Sequence, residues 1–407
     1  MKIAIIGSGI SGLTAGYYLN KKHDIQIFEK EDYIGGHTHT VDIDDQAIDT
    51  GFIVFNDRTY PNFKGLMDTL GVLYRPTEMS FAVRNDNWSL EYNGNNLNTL
   101  FADRKNFFRT KFYALILDIL KFNKLCKSGD YDKSLTLSQF LKAQNFSKWF
   151  CDGYILPMGS AIWSMGLNEM LDFPLEFFVK FFHNHGLLDI NNRPQWYTIN
   201  GGSRNYIPKL TASFKDKILL NTPVAKVARI DQGVEVELHD GRVEFFDEVI
   251  FACHSDEALK LLLDPTDKEK EILGAIKYSK NEVVLHTDIS LLPKRPLAYA
   301  SWNYLMTNSS QNMSTLTYNM NILQGLNCSK TYCVTLNSTN LINPDKILAS
   351  FNYSHPVYSK ESVIAQQRFS EISGISKTHF CGAYWANGFH EDGVTSALRV
   401  SNRINGV

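Results

Sequence analysis

The first thirty residues consist of two short apolar runs separated by a stretch with helical character. Residues 3–6 and Asp24–Phe28 have the length and composition of strands, and residues 13–20 between them favour a helix. Glu29 closes the second run with an acid. This order of strand, helix and strand predicts a βαβ unit, in which two parallel strands are joined by a crossover helix.

The middle of the chain has two kinds of pattern. Residues from about 80 to 190 have mostly helical periodicity, and Asp172 is predicted to cap the last helix there, with Pro174 in its first turn. Later residues favour strands, and Asp240-Gly241 is a hairpin signal. The predicted helices cover residues 107–126, 138–150, 171–185 and 395–404, and the predicted strands cover 224–227, 234–238, 247–252, 282–286 and 332–336.

These patterns predict an α/β fold in which two discontinuous domains interleave. A Rossmann-like nucleotide-binding domain is expected from residues 1–75, 195–265 and 360–407. An α+β substrate domain is expected from residues 76–194 and 266–359. With 407 residues, the chain is long enough to bury two cores.

A glycine-rich turn joins the first predicted strand to its helix. Gly7, Gly9 and Gly12 stand in the G-x-G-x-x-G pattern. In that pattern the first glycine permits a sharp turn, the second lets a pyrophosphate approach the backbone, and the third lets helix and strand pack closely. The helix N-terminus favours the anion, and Glu29 can accept hydrogen bonds from ribose hydroxyls. The acid also argues against a 2′-phosphate, and so against NADP.

Composition excludes several other classes of function. The net charge of −2 offers no electrostatic basis for binding nucleic acid. The six cysteines form no C-x-x-C pair, which fits reduced thiols in a cytoplasmic protein. His37-x-His39 and His183-x-His185 have no third ligand in view, so no metal site is expected. The sequence also lacks the G-x-S-x-G turn of a nucleophilic serine.

Three further glycine segments complete a pattern known from one family. They are Gly35-Gly36, Asp49-Thr50-Gly51 and the glycine-rich stretch 381–394. With them, the chain resembles the flavin-containing amine oxidase and phytoene desaturase superfamily. Within it, the chain is most similar to bacterial predicted FAD-binding proteins found beside cyclopropane-fatty-acid synthases. The stretches that carry this finer resemblance are 285–288, 301–304, 355–357 and 388–393.

The resemblance implies FAD, bound without a covalent link. Cys381 lies outside the position at which monoamine oxidases attach the flavin, and Gly382-Ala383-Tyr384 lacks the acid of their Gly-Thr-Glu contact. The lysine that amine oxidases hold near the flavin has no match, since Lys280 is near it only in sequence. The residues expected to bind FAD are Gly7, Gly9, Ser11, Gly12, Glu29, Lys30, Gly35, Gly36, His37, Thr38, Thr50, Gly51, Phe52, Val224, Gly382, Asp392, Gly393 and Val394.

The implied activity is an FAD-dependent oxidoreductase that desaturates, oxidises or isomerises an apolar substrate, with a fatty acyl chain first. A flavin amine oxidase and a non-catalytic FAD-binding partner of a lipid-modifying enzyme stay open as alternatives. His390, Tyr304 and His286 are the candidate catalytic residues. For His390 the competing interpretation is a cap or a bond to the backbone, and for His286 it is a buried structural histidine.

Each of two aromatic segments can be interpreted in two alternative ways. Phe177, Phe178, Phe181 and Phe182 recur at helical spacing, which is typical of a core and compatible with the wall of an acyl tunnel. Residues 104–127 surround an apolar face with cations, so they predict either peripheral contact with the inner membrane face or a helix packed on the substrate domain. No uninterrupted apolar run reaches the length of a spanning helix, and the oligomeric state stays open.

Overall fold

The computed structural model describes residues 1–163, 166–189, 191–307 and 315–406. In these ranges the strands, numbered β1 to β20 in chain order, are Lys2–Ile6, Asp24–Phe28, Thr40–Ile43, Gln46–Asp49, Val54–Asn56, Tyr74–Thr77, Phe81–Asn85, Leu90–Asn93, Trp196–Ile199, Ile218–Leu219, Val224–Ile230, Gly233–Leu238, Val243–Phe246, Glu248–Phe251, Lys277–His286, Trp302–Met306, Thr315–Asn319, Cys333–Leu336, Ile347–Val357 and Thr378–Phe380. The helices in the same ranges, numbered α1 to α15, are Ile10–Leu19, Pro61–Thr69, Leu97–Leu100, Thr110–Ser128, Leu137–Ala143, Lys148–Phe150, Leu156–Trp163, Leu167–Leu171, Leu175–Asn184, Ile207–Thr211, Ser255–Leu261, Asp267–Gly274, Met320–Leu323, Lys360–Gln367 and His390–Asn405.

A parallel sheet forms the centre of the nucleotide-binding part. Its strands lie in the order β10-β2-β1-β14-β20, and each pair in it is parallel. Ile3, Ala4 and Ile5 of β1 are completely buried, because both faces of such a sheet are covered and its strands are apolar throughout. The predicted βαβ unit is confirmed, although α1 begins at Ile10 rather than at residue 13.

A mixed seven-stranded sheet forms the second layer. Its order is β19-β15-β18-β17-β16-β7-β8, with β16 and β7 parallel and the other pairs antiparallel. The predicted hairpin at Asp240-Gly241 is present, but it joins β12 to β13, while β14 enters the parallel sheet. The α/β fold class is confirmed by the two sheets, while the domain boundaries drawn from the sequence stay a prediction.

Helices α4 to α9, which lie between β8 and β9 in the chain, pack around an aromatic core. Phe122, Phe140, Phe150, Phe178 and Phe182 are almost completely buried in one cluster. Large aromatic side chains fill this region at typical ring separations, for example 4.2 Å between Phe178 and Phe182. The phenylalanine-rich helix therefore contributes to a packed core.

Two predicted helices are each interrupted in the structure. The helix expected over 138–150 is split into α5 and α6, because Asn145 takes a left-handed conformation at φ 51°. The helix expected over 171–185 begins only at Leu175, with Pro174 at the N-cap position instead of Asp172. A proline restricts the residue before it to extended conformations, so the helix cannot begin earlier.

In the part of the chain that the structure describes, no helix is both long enough and apolar enough to cross a bilayer.

Candidate functional site

The glycine turn between β1 and α1 leaves space beside the backbone. Gly9 is the N-cap of α1 at φ −69° and ψ 178°, and a Cβ built on it would meet no atom within 4 Å. A Cβ on Gly12 would lie 1.9 Å from the carbonyl oxygen of Gly7. Gly12 is thus required by packing, whereas Gly9 keeps open the space that a ligand phosphate needs next to the N–H groups of the helix.

Glu29 organises one end of this turn. Its Oε2 accepts hydrogen bonds from the backbone N–H of Ser8 at 2.8 Å and from the Ser8 hydroxyl at 2.6 Å. The N–H of Thr222 donates to the carbonyl oxygen of Glu29 at 2.8 Å, which brings the segment before Val224 to the same place. Lys30 is exposed and forms an ion pair with Glu257 at 2.8 Å. The predicted nucleotide-binding residues of this end are therefore brought together, with Lys30 at the rim.

The Gly-Gly loop crosses the glycine turn. Gly35 forms a parallel bridge with Gly9, and a Cβ on Gly36 would lie 3.1 Å from the Cα of Gly9. Gly36 has a φ of 58°, where glycine is favoured. Thr38 follows, and its Oγ1 lies 2.5 Å from the hydroxyl of Tyr206. The backbone of the Gly-Gly loop therefore lies directly against the backbone of the glycine turn.

The turn after β4 forms the next wall. A Cβ on Gly51 would lie 2.1 Å from the carbonyl oxygen of His37, to which Phe52 donates its N–H at 2.8 Å. The Oγ1 of Thr50 lies 2.7 Å from Nδ1 of His39 and 3.0 Å from the hydroxyl of Tyr353. Strand β19 of the mixed sheet, which carries Tyr353, is thereby tied to this wall.

The N-terminus of α15 closes the group of walls. Asp392 accepts the backbone N–H of Phe389 at 2.9 Å and of Asn387 at 3.1 Å, and burial raises its pKa to about 7. A Cβ on Gly393 would lie 2.7 Å from Ile10 Cγ2, so the α1–α15 contact requires a glycine. Two more predicted residues support this end: Val394 is buried, and Gly382 donates its N–H to the hydroxyl of Ser396 at 2.9 Å.

Three histidines meet where the loop, β14 and β19 converge. The ring of His37 lies 5.6 Å from that of His355 and 6.1 Å from that of His254. Burial lowers the pKa of His355 to about 4 and lowers the pKa values of the other two. The rings are therefore neutral at pH 7. Nε2 of His37 is buried and has no hydrogen-bond partner in the described residues, and a buried polar atom of this kind normally needs one.

These walls fit a dinucleotide. They combine open space at Gly9, an acid at Glu29, an unsatisfied imidazole nitrogen at His37 and the N-termini of α1 and α15. Nothing in the arrangement conflicts with the FAD that the sequence implies.

His390, the first catalytic candidate, is held in place on several sides. Its ring stacks on Phe52 with centroids 3.6 Å apart, and its Nε2 lies 2.9 Å from the Oγ1 of Thr38. Burial lowers its pKa to about 3, so the imidazole is neutral. This environment matches the structural interpretation of His390, and it places the residue at the walls described above.

Tyr304 and His286 lie on opposite faces of the mixed sheet. In the strand registers, Tyr304 stands opposite Leu316, Leu316 opposite Leu336, and Leu336 opposite Val283. Val283 stands opposite Phe351, whose ring contacts His39 of the Gly-Gly loop segment at 4.8 Å. Tyr304 thus shares the face that is turned toward the nucleotide site.

His286 differs from Val283 by an odd number of positions, so it points to the other side of the sheet. Its Nε2 lies 2.7 Å from the hydroxyl of Thr335, and its Nδ1 accepts the N–H of Asp288 at 3.0 Å. Both ring nitrogens are therefore engaged within the sheet. The catalytic role expected for His286 is not supported by its position, and we assign the residue to the stability of the sheet.

A cavity of about 600 Å³ lies beside the N-terminus of α15. Most of its lining is polar, in contrast to the apolar tunnel expected for an acyl chain. The lining residues are Arg58, Thr59, Tyr60, Pro61, His183, Asn184, His185, Asp189, Asn192, Asn387, Phe389, Glu391 and Asp392.

Two kinds of side chain bear on the chemistry of the site, namely lysines and possible metal ligands. No lysine of the described residues is buried, and Lys280 is exposed on β15. In the described ranges no group of three or more His, Cys, Asp or Glu side chains is arranged to hold a metal ion. That the amine-oxidase lysine has no secure match in this chain stays a prediction.

Sequence reasoning missed three residues of the walls. Ser8 binds Glu29, Tyr206 binds Thr38, and His254 joins the histidine cluster. His254 follows the carboxyl end of β14, where open parallel sheets bind their ligands, and that rule could have identified it. Ser8 and Tyr206 carried no signal of this kind.

The sequence matches a protein-family model and is similar to individual relatives. A family model described as flavin containing amine oxidoreductase matches residues 10–299. The chain is 40% identical over 81 residues to a 1-hydroxycarotenoid 3,4-desaturase of Flavobacterium sp., covering 20% of this chain and 15% of the relative. It is 23% identical over 263 residues to an L-amino acid dehydrogenase of Synechocystis sp., covering 59% of this chain and 53% of the relative.

Solved structures share the fold over the full length. A fatty acid isomerase from P. acnes has a TM-score of 0.70 at 15% identity, and the alignment covers 98% of both chains. A putrescine oxidase has a TM-score of 0.72 at 14% identity, and the alignment covers 100% of both chains. At these identities the likeness establishes the fold alone. The predicted fold class, a parallel sheet with a mixed sheet as in flavin amine oxidases, is thereby confirmed.

Proposed function

Because the chain belongs to the flavin containing amine oxidoreductase family, we propose that it is an FAD-dependent oxidoreductase. The observation that carries the proposal is the convergence of the glycine turn, the Gly-Gly loop, the turn at Gly51 and the N-terminus of α15 on one site. FAD, when bound, supplies a ring that accepts a hydride or an electron pair.

The chain's own residues would hold the cofactor at its two ends. Glu29 would accept hydrogen bonds from the ribose hydroxyls of an adenosine, and Gly9 leaves space for the diphosphate. His37 offers an unsatisfied nitrogen to a polar atom of the ligand. The N-terminus of α15, packed through Gly393 on α1, presents N–H groups to the other end.

The proposal includes non-covalent attachment. Cys381 is completely buried, and burial raises the pKa of its thiol, so the thiolate needed for a covalent link is disfavoured. Cys253 has a pKa raised well above its usual value for the same reason.

We propose that the substrate is an apolar molecule and that a fatty acyl chain is the first candidate. The local match to a carotenoid desaturase and the absence of a buried lysine from the described residues support this proposal. So does the resemblance to bacterial proteins found beside cyclopropane-fatty-acid synthases. Tyr304 is then the candidate to orient the chain or hold a proton, because it lies on the face turned toward the site. His390 would keep the wall rigid.

A second candidate, oxidation of an amine or amino acid, is favoured by the charge of the cavity. Asp189, Glu391 and Asp392 line it beside Arg58, and the carboxylates outnumber this cation above about pH 7, where Asp392 loses its proton. An acidic surplus attracts an ammonium group. The match to an L-amino acid dehydrogenase agrees with this alternative.

Anaerobic reduction of the bound flavin separates these functions. We expect a fatty acid or a phospholipid to bleach the flavin absorbance if its product has lost two hydrogens, and to leave the flavin oxidised if the product has only a shifted double bond, with both products identified by mass spectrometry. Bleaching by amines or amino acids alone would transfer the proposal to the second candidate. The absence of both bleaching and an altered lipid product, in a protein that holds FAD, would favour a non-catalytic partner of a lipid-modifying enzyme.

A further inference from the structure

Helix α4 presents apolar side chains on two opposite sides. One side carries Phe112, Leu115 and Phe122, which are completely buried against the core. The other side carries Leu117, which is 65% exposed, and Leu120. A surface helix normally has a polar outer side, so an apolar outer stripe indicates that something else covers it.

The stripe continues into the turn before the helix. Phe108 is 90% exposed, and its neighbour Phe107 is exposed as well. The hydroxyl of Tyr113 donates to the carbonyl oxygen of Phe107 at 3.1 Å, which holds the turn against the first turn of α4. The exposed apolar residues of this surface, here called the α4 stripe, are Phe107, Phe108, Tyr113, Leu117 and Leu120.

Exposed cations without an ion pair occur along the same segment as the α4 stripe. Lys105, Lys111 and Lys124 are exposed, and no carboxylate of the described residues lies within 4.0 Å of their ammonium groups. The acids of the segment are turned inward. Asp118 accepts the N–H of Ser147 at 2.9 Å, and Asp103 is buried. The segment therefore combines exposed apolar side chains with exposed cations that have no ion pair.

We propose that the α4 stripe docks on an anionic lipid bilayer, with the helix parallel to the membrane plane. Aromatic and aliphatic side chains would enter the region of the head groups, and the lysines would contact lipid phosphates or carboxylates. A second copy of the chain fits less well. In a two-fold dimer the same patch faces itself, so the lysine edges of the two copies would repel each other.

The position of α4 connects this surface to the cavity. Lys127, in the last turn of the helix, forms an ion pair of 2.6 Å with Asp189, and Asp189 lines the cavity. This ion pair links the C-terminal end of α4 to one wall of the cavity. Membrane docking does not depend on the substrate, and its failure would leave the proposed function intact.

Flotation of the flavin-loaded protein with lipid vesicles tests the docking. We expect binding to vesicles of phosphatidylcholine with 30% phosphatidylglycerol and much weaker binding to phosphatidylcholine alone. Replacing Lys105, Lys111 and Lys124 together by glutamine should lower the partition coefficient about 100-fold, since each charge contributes about fivefold. The double variant F108D and L117D should abolish flotation.

A matched control is Ile364→Asp, which introduces the same charge at an exposed apolar residue of α14. It should float like the wild type. Equal flotation of the wild type, the lysine variant and the double variant would overturn the proposal. So would a dimer in sedimentation analysis that L117D dissociates while the wild type fails to float, since the stripe would then bind a second copy. Retained flavin colour and an unchanged melting temperature verify that each variant is folded.

Discussion

The imidazole of His390 lies almost parallel to the ring of Phe52, with centroids 3.6 Å apart and planes 13° apart. This contact joins the first residue of α15 to the turn after β4, two segments separated by more than three hundred residues in the chain. Two of the walls of the nucleotide site are therefore held together by one stacked pair.

The first prediction concerns that pair. His390→Phe keeps an aromatic ring on Phe52 but loses the contact of Nε2 with Thr38. We expect the free energy of unfolding to fall by about 1–2 kcal/mol, as for one lost buried hydrogen bond, with the flavin retained. Urea unfolding and the flavin spectrum measure both. A loss of turnover of about 100-fold or more at unchanged stability would instead assign His390 a role in proton transfer.

The second prediction concerns Gly9. Its backbone angles suit any residue and its Cβ position is free, so Gly9→Leu should fold normally. The new side chain would fill the space of the diphosphate, and the purified protein should be colourless. The matched control is Gly65→Leu in α2, where the Cβ position is equally free. A yellow Gly9→Leu protein with full FAD content would place the cofactor elsewhere.

The third prediction concerns Gly51, where the opposite result is expected. A methyl group there would lie 2.1 Å from the carbonyl oxygen of His37, a backbone atom that cannot move without shifting the whole loop. Gly51→Ala should lower the free energy of unfolding by about 1–3 kcal/mol or more. Thermal unfolding of this variant beside Gly9→Ala measures the contrast, and equal melting temperatures would contradict the geometry.

The fourth prediction concerns the pH dependence of stability through Asp49. This side chain is completely buried, and burial raises its pKa from 3.8 to about 6 even though Thr40 and Ser203 donate hydrogen bonds to it. Because the folded-state pKa is raised, the contribution of Asp49 is fully present below about pH 4 and is lost as the pH rises through 6. The total change is about 3 kcal/mol.

Asp49→Asn removes this titration. The stability of the wild type relative to the variant should therefore decrease by about 2 kcal/mol between pH 4 and pH 7, as measured by urea unfolding across that range. Asp45→Asn, at an exposed position next to the same hairpin, is the control and should show no such trend. A constant difference between wild type and Asp49→Asn would contradict the raised pKa.

The fifth prediction concerns the attachment of the flavin. Acid precipitation of the wild type should release the yellow colour into the supernatant, because the buried Cys381 thiol forms no bond to the cofactor. Cys381→Ala should retain the same amount of FAD. Colour that stays in the wild-type pellet and leaves with Cys381→Ala would demonstrate a covalent link.

Local patterns predicted the nucleotide-binding unit well. The βαβ order, the glycine turn and Glu29 all depend on residues close in sequence, and their physical reasons are local. The breaks after Ala143 and Leu171 were not predicted, because they depend on a left-handed residue and on a proline whose effects compete with helical periodicity.

The candidate site was predictable only in part, since its walls come from distant segments. Alternation along a strand tells which neighbours share a face with Tyr304 or with His286. It does not tell which of the two faces is turned toward the site. Only the registers of β15 to β19 separate the two residues. Tyr206 joins the site through a tertiary contact that leaves no local motif, whereas the position of His254 after β14 was a signal that the sequence analysis did not use.

The contact between α1 and α15 also bears on how the protein is made. On the ribosome, β1 and α1 are synthesised before β20 and α15, which follow roughly 20–75 s later at ordinary rates of translation. Until then the edge of β14 that pairs with β20 and the side of α1 that packs on α15 have no partners. An unpaired strand edge is prone to pair with another chain, so this part of the nucleotide site is exposed to aggregation until the last helix has been made.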